Sequence, residues 1–436
     1  MLIKDLLRHL AICAATAKSH VHHIRVVLGT MKRSESPSEA IKSAIDRIIA
    51  PGTDDFRRQD GAPMFGAHRQ STRRTAMTLP MPAHRPGFPR VLVTAIAVLG
   101  AGVAAASPLV AQAKGRTHKL EASPTTVAYG YYSATATPVL RIASGDIVEV
   151  TTMLTNTPER LERAGVAPND IEPELREIVA KVTDKGPGGH ILTGPIFVEG
   201  ADSGDVLEVR ILEVKPKIKY GYNGCSGFVR TNCEQGAGSK IIPIDAKKMT
   251  AEFAPGIVIP LKPFFGSMGV APAPSLGRVS SNPPSMHAGN LDNKELVAGT
   301  TLFIPVHVAG ALFEVGDGHM AQGDGEVDQT AIETSLRGRL QLIVRKDMKL
   351  TWPRGDTPTH VITMGTDTSL TVATKVAIQE MVDYLAAERG LSKMDAYRLA
   401  SIAADLHITQ LVDGNVGVHM MVPKSIFKRS AASGQR

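Results

Sequence analysis

The sequence predicts a mainly β chain with some helix, in the α+β class. Three observations predict it. Short runs rich in Val, Ile, Leu and Thr recur between Gly/Asp/Ser turn signals. Helix-type periodicity is confined to two regions. The 436 residues divide into a basic leader and a near-neutral body of globular composition, long enough for two or three packed units.

The leader comes first. Residues 1–76 carry 13 Lys+Arg against 7 Asp+Glu, and 77–115 carry 3 basic residues and no acid. The remainder, 116–436, holds 33 basic and 35 acidic residues, so the net charge of +7 belongs to the leader. The near-neutral body and its few aromatics (4%) give no reason to expect a nucleic-acid partner. Residues 91–106 read VLVTAIAVLGAGVAAA, flanked by Arg85 and Arg90 and followed by Ala111-Gln112-Ala113. A basic flank, a short apolar run and an A-x-A ending form the secretory signal pattern. The run is short and Gly/Ala-rich for a membrane span, which makes a retained anchor the second reading. Residues 81–113 are therefore expected to be a signal peptide, cut after Ala113, and the body to be periplasmic or secreted without stable membrane association. Residues 1–80 are then a disordered leader or an artefact of a wrong start codon, with Met77 or Met81 as the true start. Arg73-Arg74 as a twin-arginine signal is the weaker alternative, because it lies far from the apolar run.

The body follows in order, as an N-terminal β-rich part (116–253), a Pro/Gly-rich active-site loop (254–292) and a C-terminal β/α part (293–430). VLRIASGDIVEV (139–150) reads as two strands around Ser144-Gly145-Asp146. PERLERAG and DIEPELREIVAKV, within 156–181, read as helix. VLEVRILEV (206–214) is a strand after the Ser203-Gly204-Asp205 turn. Cys225 and Cys233, eight apart, form a local disulfide or stay free; a zinc pair lacks other ligands nearby. Residues 254–292 are dense in Pro and Gly and are expected to lack a regular element of any length. Their Phe264, Phe265, Met268 and Val270 favour a buried, ordered loop. TLFIPVHVAGALFEV (301–315), LRGRLQLIVRKD (336–347) and THVITMG (359–365) read as strands. A helix over 370–389 stops at Gly390, and Ser392 caps the next one, with Asp395 three residues on. Its stripe of Ala396, Leu399, Ile402, Ala403 and Leu406 is expected to pack in the core.

The chemistry concentrates in GDGHMAQGDGE (316–326). Asp317, His319, Asp324 and Glu326 supply oxygen and nitrogen donors suited to zinc or another divalent metal, with calcium as the alternative. Glycines 316, 318, 323 and 325 are expected to bend one loop so that these side chains converge. EF-hand spacing and a G-x-S-x-G elbow are both absent. The competing reading is a plain Gly/Asp turn. Against it stand the apolar strand just before, the His and Gln within, and a second polar cluster, HAGNLD, at 287–292. His190, in GPGGHILTGP, is a further candidate, with a hydrogen-bonded structural histidine as its alternative. Asp146 and Asp205 read as turn residues, and His407 and His419 as structural.

Three stretches carry a resemblance: GPGGHILTGPIFVEGADSGDVLEVRI (186–211), HAGNLDNKELVAGTTLFIPVHVAGALFEVGDGHMAQGDGEVDQTAIE (287–333) and ADLHITQLVDGNVGVHMMVPKSIF (404–427). Over roughly 125–430 the chain resembles the acetamidase/formamidase family. The resemblance implies β-sandwich or barrel units, a homo-oligomer, and hydrolysis of short linear amides to carboxylate and ammonia. It also implies a divalent metal, zinc first, at His287, Asp317, His319 and Glu326. Glu326 is then the expected general base, with Asp324 as its catalytic neighbour, Asn290 or the backbone N–H groups of the glycine turns as oxyanion donors, and His190 as a further catalytic residue. Gln329 and Ala128-Tyr129 depart from the family pattern and bear on the substrate. The alternative is a non-catalytic periplasmic binding protein for a small molecule on the same scaffold.

Overall fold

A computed structural model describes residues 115–233 and 238–428. The leader and the segment 81–113, expected to be a signal peptide, lie outside these residues.

Two large sheets make up the described chain. The first has nine strands, in the spatial order Thr117–Leu120, Ile147–Thr151, Leu336–Arg345, Val206–Pro216, Thr301–Pro305, Arg354–Asp356, His360–Asp367, Val416–Pro423 and Asp405–Gln410. All its pairs are antiparallel except the first. Leu336, Gly338, Leu340 and Leu342 are buried, and the alternating Arg337, Arg339 and Gln341 are more exposed, so the period-2 pattern of this strand has a clear cause.

The second sheet runs Ile257–Pro260, Thr250–Ala254, Lys240–Asp245, Tyr220–Asn223, Glu333–Thr334, Phe313–His319, Phe264–Gly269 and Ala288–Asn290. Ile191–Val198 also pairs with Phe313–His319 and carries Val127–Tyr129 and Leu140–Ile142. One apolar cluster takes Val209, Ile304 and Leu342 from the first sheet and Phe265, Phe313 and Val315 from the second, so the sheets share a core. Gly338 makes room there: a β carbon on it would lie 2.7 Å from the Phe265 ring.

The helices fall where the sequence puts them, at Pro158–Arg163, Pro173–Lys181, Leu370–Arg389 and Lys393–Ala403. The long helix lies against His360–Asp367 with its small residues Ala373 and Ala377, and Thr363 donates to the Ala377 carbonyl (2.8 Å). Gly365 permits this contact, since a β carbon would sit 2.3 Å from the Ala373 oxygen. Gly390 takes the left-handed conformation that ends the helix, and Ser392 accepts from the Asp395 amide.

Four expectations are corrected. The segment 254–292 holds four short strands, and Phe264–Gly269 is fully buried inside the second sheet. The stretch 301–315 is split: Thr301–Pro305 belongs to the first sheet and Phe313–His319 to the second. Each sheet draws strands from before 254 and after 292, so this boundary separates no packed units. In the last helix Ala396, Leu399 and Ala400 do the packing, while Ile402 is 82% exposed and Leu406 lies in the next strand. Of the two cysteine readings, Cys225 and Cys233 form the disulfide (S–S 2.02 Å).

Candidate metal centre and active site

The strand Phe313–His319 lies inside the second sheet and delivers the first two donors. Gly316 and Gly318 do not form a turn. They let neighbouring backbone close in: added β carbons would lie 2.7 Å from the Ile191 oxygen and 2.5 Å from the Thr334 oxygen. Asp317 and His319, two residues apart, therefore share a face. Across the sheet His319 pairs with Glu333 on one side and Phe264 on the other.

Other acids arrive from three loops. Asp292 follows the strand Ala288–Asn290. Glu326 ends the loop after the central strand, which is tied down by Gly325 donating to the Thr409 carbonyl (3.1 Å) and Leu411 donating to the Gly325 carbonyl (2.9 Å). Asp413 lies in the turn between the last two strands. Nine non-glycine residues of the described chain have positive φ, and four are these acids: Asp292 (48°), Asp317 (55°), Glu326 (40°) and Asp413 (64°). Such backbone costs about 1 kcal/mol or more per residue and persists where its surroundings enforce it.

The geometry is compact. His319 Nε2 lies 3.2 Å from Asp317 Oδ2 and 3.2 Å from Glu333 Oε2. Ligand atoms of Asp292, Asp317 and His319 lie within 4.8 Å of one another; so do those of His319, Glu326 and Glu333, and those of Asp292, Glu326 and Asp413. Gln322 fixes the imidazole tautomer. Its Nε2 donates to the Asp292 carbonyl (2.7 Å), so its Oε1 (2.9 Å) accepts from His319 Nδ1 and leaves Nε2 facing the acids. Thr155 donates to Asp317 Oδ1 (3.3 Å).

Burial and neighbours push the acids apart. Burial raises Asp317, but His319 and His190 outweigh it and hold that carboxyl well below the usual range. Burial and nearby carboxylates push Asp292 and Glu326 well above it, with His319 only partly opposing. Glu333 and Asp413 are raised by burial as well. His319 is pulled down by burial, yet Glu333 and Asp317 outweigh this and raise it well above an ordinary imidazole.

These donors fit a divalent cation. The oxygens Asp292 Oδ1, Glu326 Oε2 and Glu333 Oε2 are buried without a hydrogen-bond partner. Gly266 leaves a hollow beside Asp292, Asp317 and His319: a β carbon there would lie 2.5 Å from Asp292 Oδ1, 2.7 Å from Asp317 Oδ2 and 2.8 Å from His319 Cε1. Carboxylate oxygens with one imidazole nitrogen suit zinc or another ion of mixed preference.

Of the sequence candidates, Asp317, His319 and Glu326 come together here. His190 stands at the edge, its Nε2 3.8 Å from Asp317 and its Nδ1 against Ser281 Oγ (2.9 Å). Asn290 is adjacent, but its Nδ2 donates to Asp292 (2.8 Å) and Asp413 (3.2 Å). Both amide hydrogens are taken, which leaves none for an oxyanion. His287 joins none of these donor sets; it packs edge-on against Tyr132 (5.1 Å), and burial lowers its pKa to about 4. Asp324 points away, to Lys294 (3.0 Å) and His407 (3.0 Å). The sequence reading missed Asp292, Glu333 and Asp413. The first two stand inside the quoted 287–333 stretch, and Asp413 precedes the turn glycine Gly414, so their positions carried a signal that residue type alone did not rank.

Comparison with known proteins adds to this geometry. Residues 146–282 and 278–429 match the family described as Acetamidase/Formamidase. The chain is 28% identical to an acetamidase of Mycolicibacterium smegmatis over 200 residues, 32% of this chain and 49% of that one. It is 27% identical to a formamidase of Methylophilus methylotrophus over 197 residues, 32% and 47% of the two chains. The chain spans about half the length of the curated relatives it matches. The crystal structure of an acetamidase from Yersinia enterocolitica superposes with a TM-score of 0.62 at 26% identity, covering 74% of this chain and 96% of that one.

Proposed function

Because the chain belongs to the acetamidase/formamidase family, we propose that its acid centre hydrolyses short linear amides to a carboxylate and ammonia. One observation carries the reading: the hollow at Gly266 meets Asp292 Oδ1, a buried carboxylate oxygen without a hydrogen-bond partner, beside Asp317 Oδ2 and His319. A divalent cation, zinc, would be held there by Asp292, Asp317 and His319, with Glu326 and Glu333 alongside. Such an ion polarises a carbonyl and lowers the pKa of water to about 7. Gln322 accepts from His319 Nδ1, so Nε2 is the ring nitrogen that would meet the ion. Asp317, held ionised, supplies fixed negative charge. Glu326, a carboxylate beside that position, would take a proton from the attacking water and deliver it to the departing nitrogen.

We also place the enzyme outside the cytoplasm. The signal-like segment 81–113 and the Cys225–Cys233 disulfide support this.

The test is ammonia release by the purified, zinc-loaded full chain from a panel that includes formamide, acetamide and propionamide. Release from at least one of them is expected. A folded, metal-loaded protein that releases none overturns the proposal and favours a binding role.

A further inference from the structure

A second group of metal-type donors stands apart from the central acids. His407 and His419 face each other directly across the antiparallel strands Asp405–Gln410 and Val416–Pro423. Their rings are nearly parallel (5°), with centroids 4.9 Å apart. Side chains directly opposite on paired strands start from β carbons about 4.5–5.5 Å apart, close enough for two imidazoles to chelate one ion. Asp324 reaches them from the loop after the central strand, its Oδ2 3.0 Å from His407 Nδ1. Ligand atoms of all three lie within 4.8 Å of one another.

His419 supplies the second observation. It is fully buried (0% exposed), and its Nδ1 is engaged by Thr409 Oγ1 (2.7 Å). Its Nε2 is buried without a hydrogen-bond partner. The amide chemistry above uses none of these groups. His407 and Lys294 are about one third exposed (32% and 33%), so His407 can turn toward an ion and Lys294 can release Asp324 Oδ1 to solvent.

We propose that Asp324, His407 and His419 form a second metal site, which takes zinc, nickel or copper(II) through two imidazole nitrogens and one carboxylate oxygen. The nitrogen-rich set selects against magnesium and calcium, which prefer oxygen donors alone. The ion clamps the loop carrying Asp324 to the strand carrying His407. Two backbone bonds of Gly325 already join these segments, and Glu326 is the next residue. The site therefore steadies the loop that presents Glu326.

The test compares the metal-free full chain with its His407→Gln and Asp324→Asn variants. His407 and Asp324 are partly exposed, so both variants should keep the wild-type circular dichroism. Zinc is titrated by calorimetry, with elemental analysis after dialysis. The proposal expects each variant to bind one equivalent fewer, or to bind that equivalent at least tenfold more weakly. With copper(II), His407→Gln should lose one of two coupled nitrogens in the paramagnetic resonance spectrum. Because the readout is a difference between proteins, it reports this site whether or not the central acids hold an ion. Equal stoichiometry, affinity and nitrogen coupling in wild type and variants would overturn the proposal.

Discussion

Two groups of buried acids in this protein are built in opposite ways. Glu208, 3% exposed, accepts from Arg210 Nε (2.5 Å) and Arg345 Nη1 (2.7 Å), and its neighbour Asp205 accepts from Lys346 (2.7 Å). Each acid has its counter-charge in the chain, and none of these residues has positive φ. The central group gathers Asp292, Asp317, Glu326, Glu333 and Asp413 around His319, with four of the five acids on left-handed backbone. Isolated buried carboxylates are costly unless paired. The contrast teaches that Asp205 and Glu208 meet their counter-charges within the chain, whereas five central carboxyls gather at one imidazole, where we propose that a cation binds.

The comparison breaks hardest at Gly266. Gly266→Ala places a methyl group where the donors converge. It should remove bound metal and lower kcat/KM by about 100-fold or more, as displaced groups do in a fitted site. Elemental analysis and ammonia release check this; a variant with full metal and full activity would show that the hollow holds nothing. Glu326→Gln comes next. It should keep metal and fold but lower kcat by about 10²–10⁴-fold, the usual span for a lost general acid–base. Unchanged activity would rule out that role.

The effect of pH sharpens the contrast. Asp292, Glu326, Glu333 and Asp413 have folded pKa values raised by burial. Between ordinary carboxylate values, about 4, and these raised ones, the native state binds more protons than the unfolded state. The metal-free protein should therefore lose stability as pH rises through that window, and the zinc-loaded protein should lose less. Asp205 behaves oppositely. Its hydrogen bond to Lys346 lowers its pKa, so its contribution is present above the ordinary value and fades as pH falls. Thermal midpoints from pH 4 to 8, with chelator and with zinc, should diverge as pH rises; parallel curves would contradict this account. The smallest effect is expected at Glu208→Gln. Both of its arginines are partly exposed (47% and 31%), so the loss should be about 1 kcal/mol in a denaturant titration, with activity unchanged.

Much of this architecture was legible in the residues. Turn signals at Ser144-Gly145-Asp146 and Ser203-Gly204-Asp205 marked true strand ends, and Gly390 and Ser392 marked true helix ends. Glycine misled where it served proximity instead of turning. Gly266, Gly316 and Gly318 read as loop residues, yet each sits in a strand and leaves space for a neighbour. Asp324 and Glu326 look equivalent in GDGE, but they point to different places: one meets Lys294 and His407, the other the buried acids. Asp413 reaches the centre from a distant turn, a placement set by sheet pairing that local spacing does not encode.

The most direct test of the central claim is ammonia release from the best short amide in one preparation, measured as purified, after chelation and after zinc is returned. We predict that release stops when elemental analysis shows the metal gone, and resumes with zinc. Undiminished release from a metal-free chain would contradict the claim that these acids work by holding a cation.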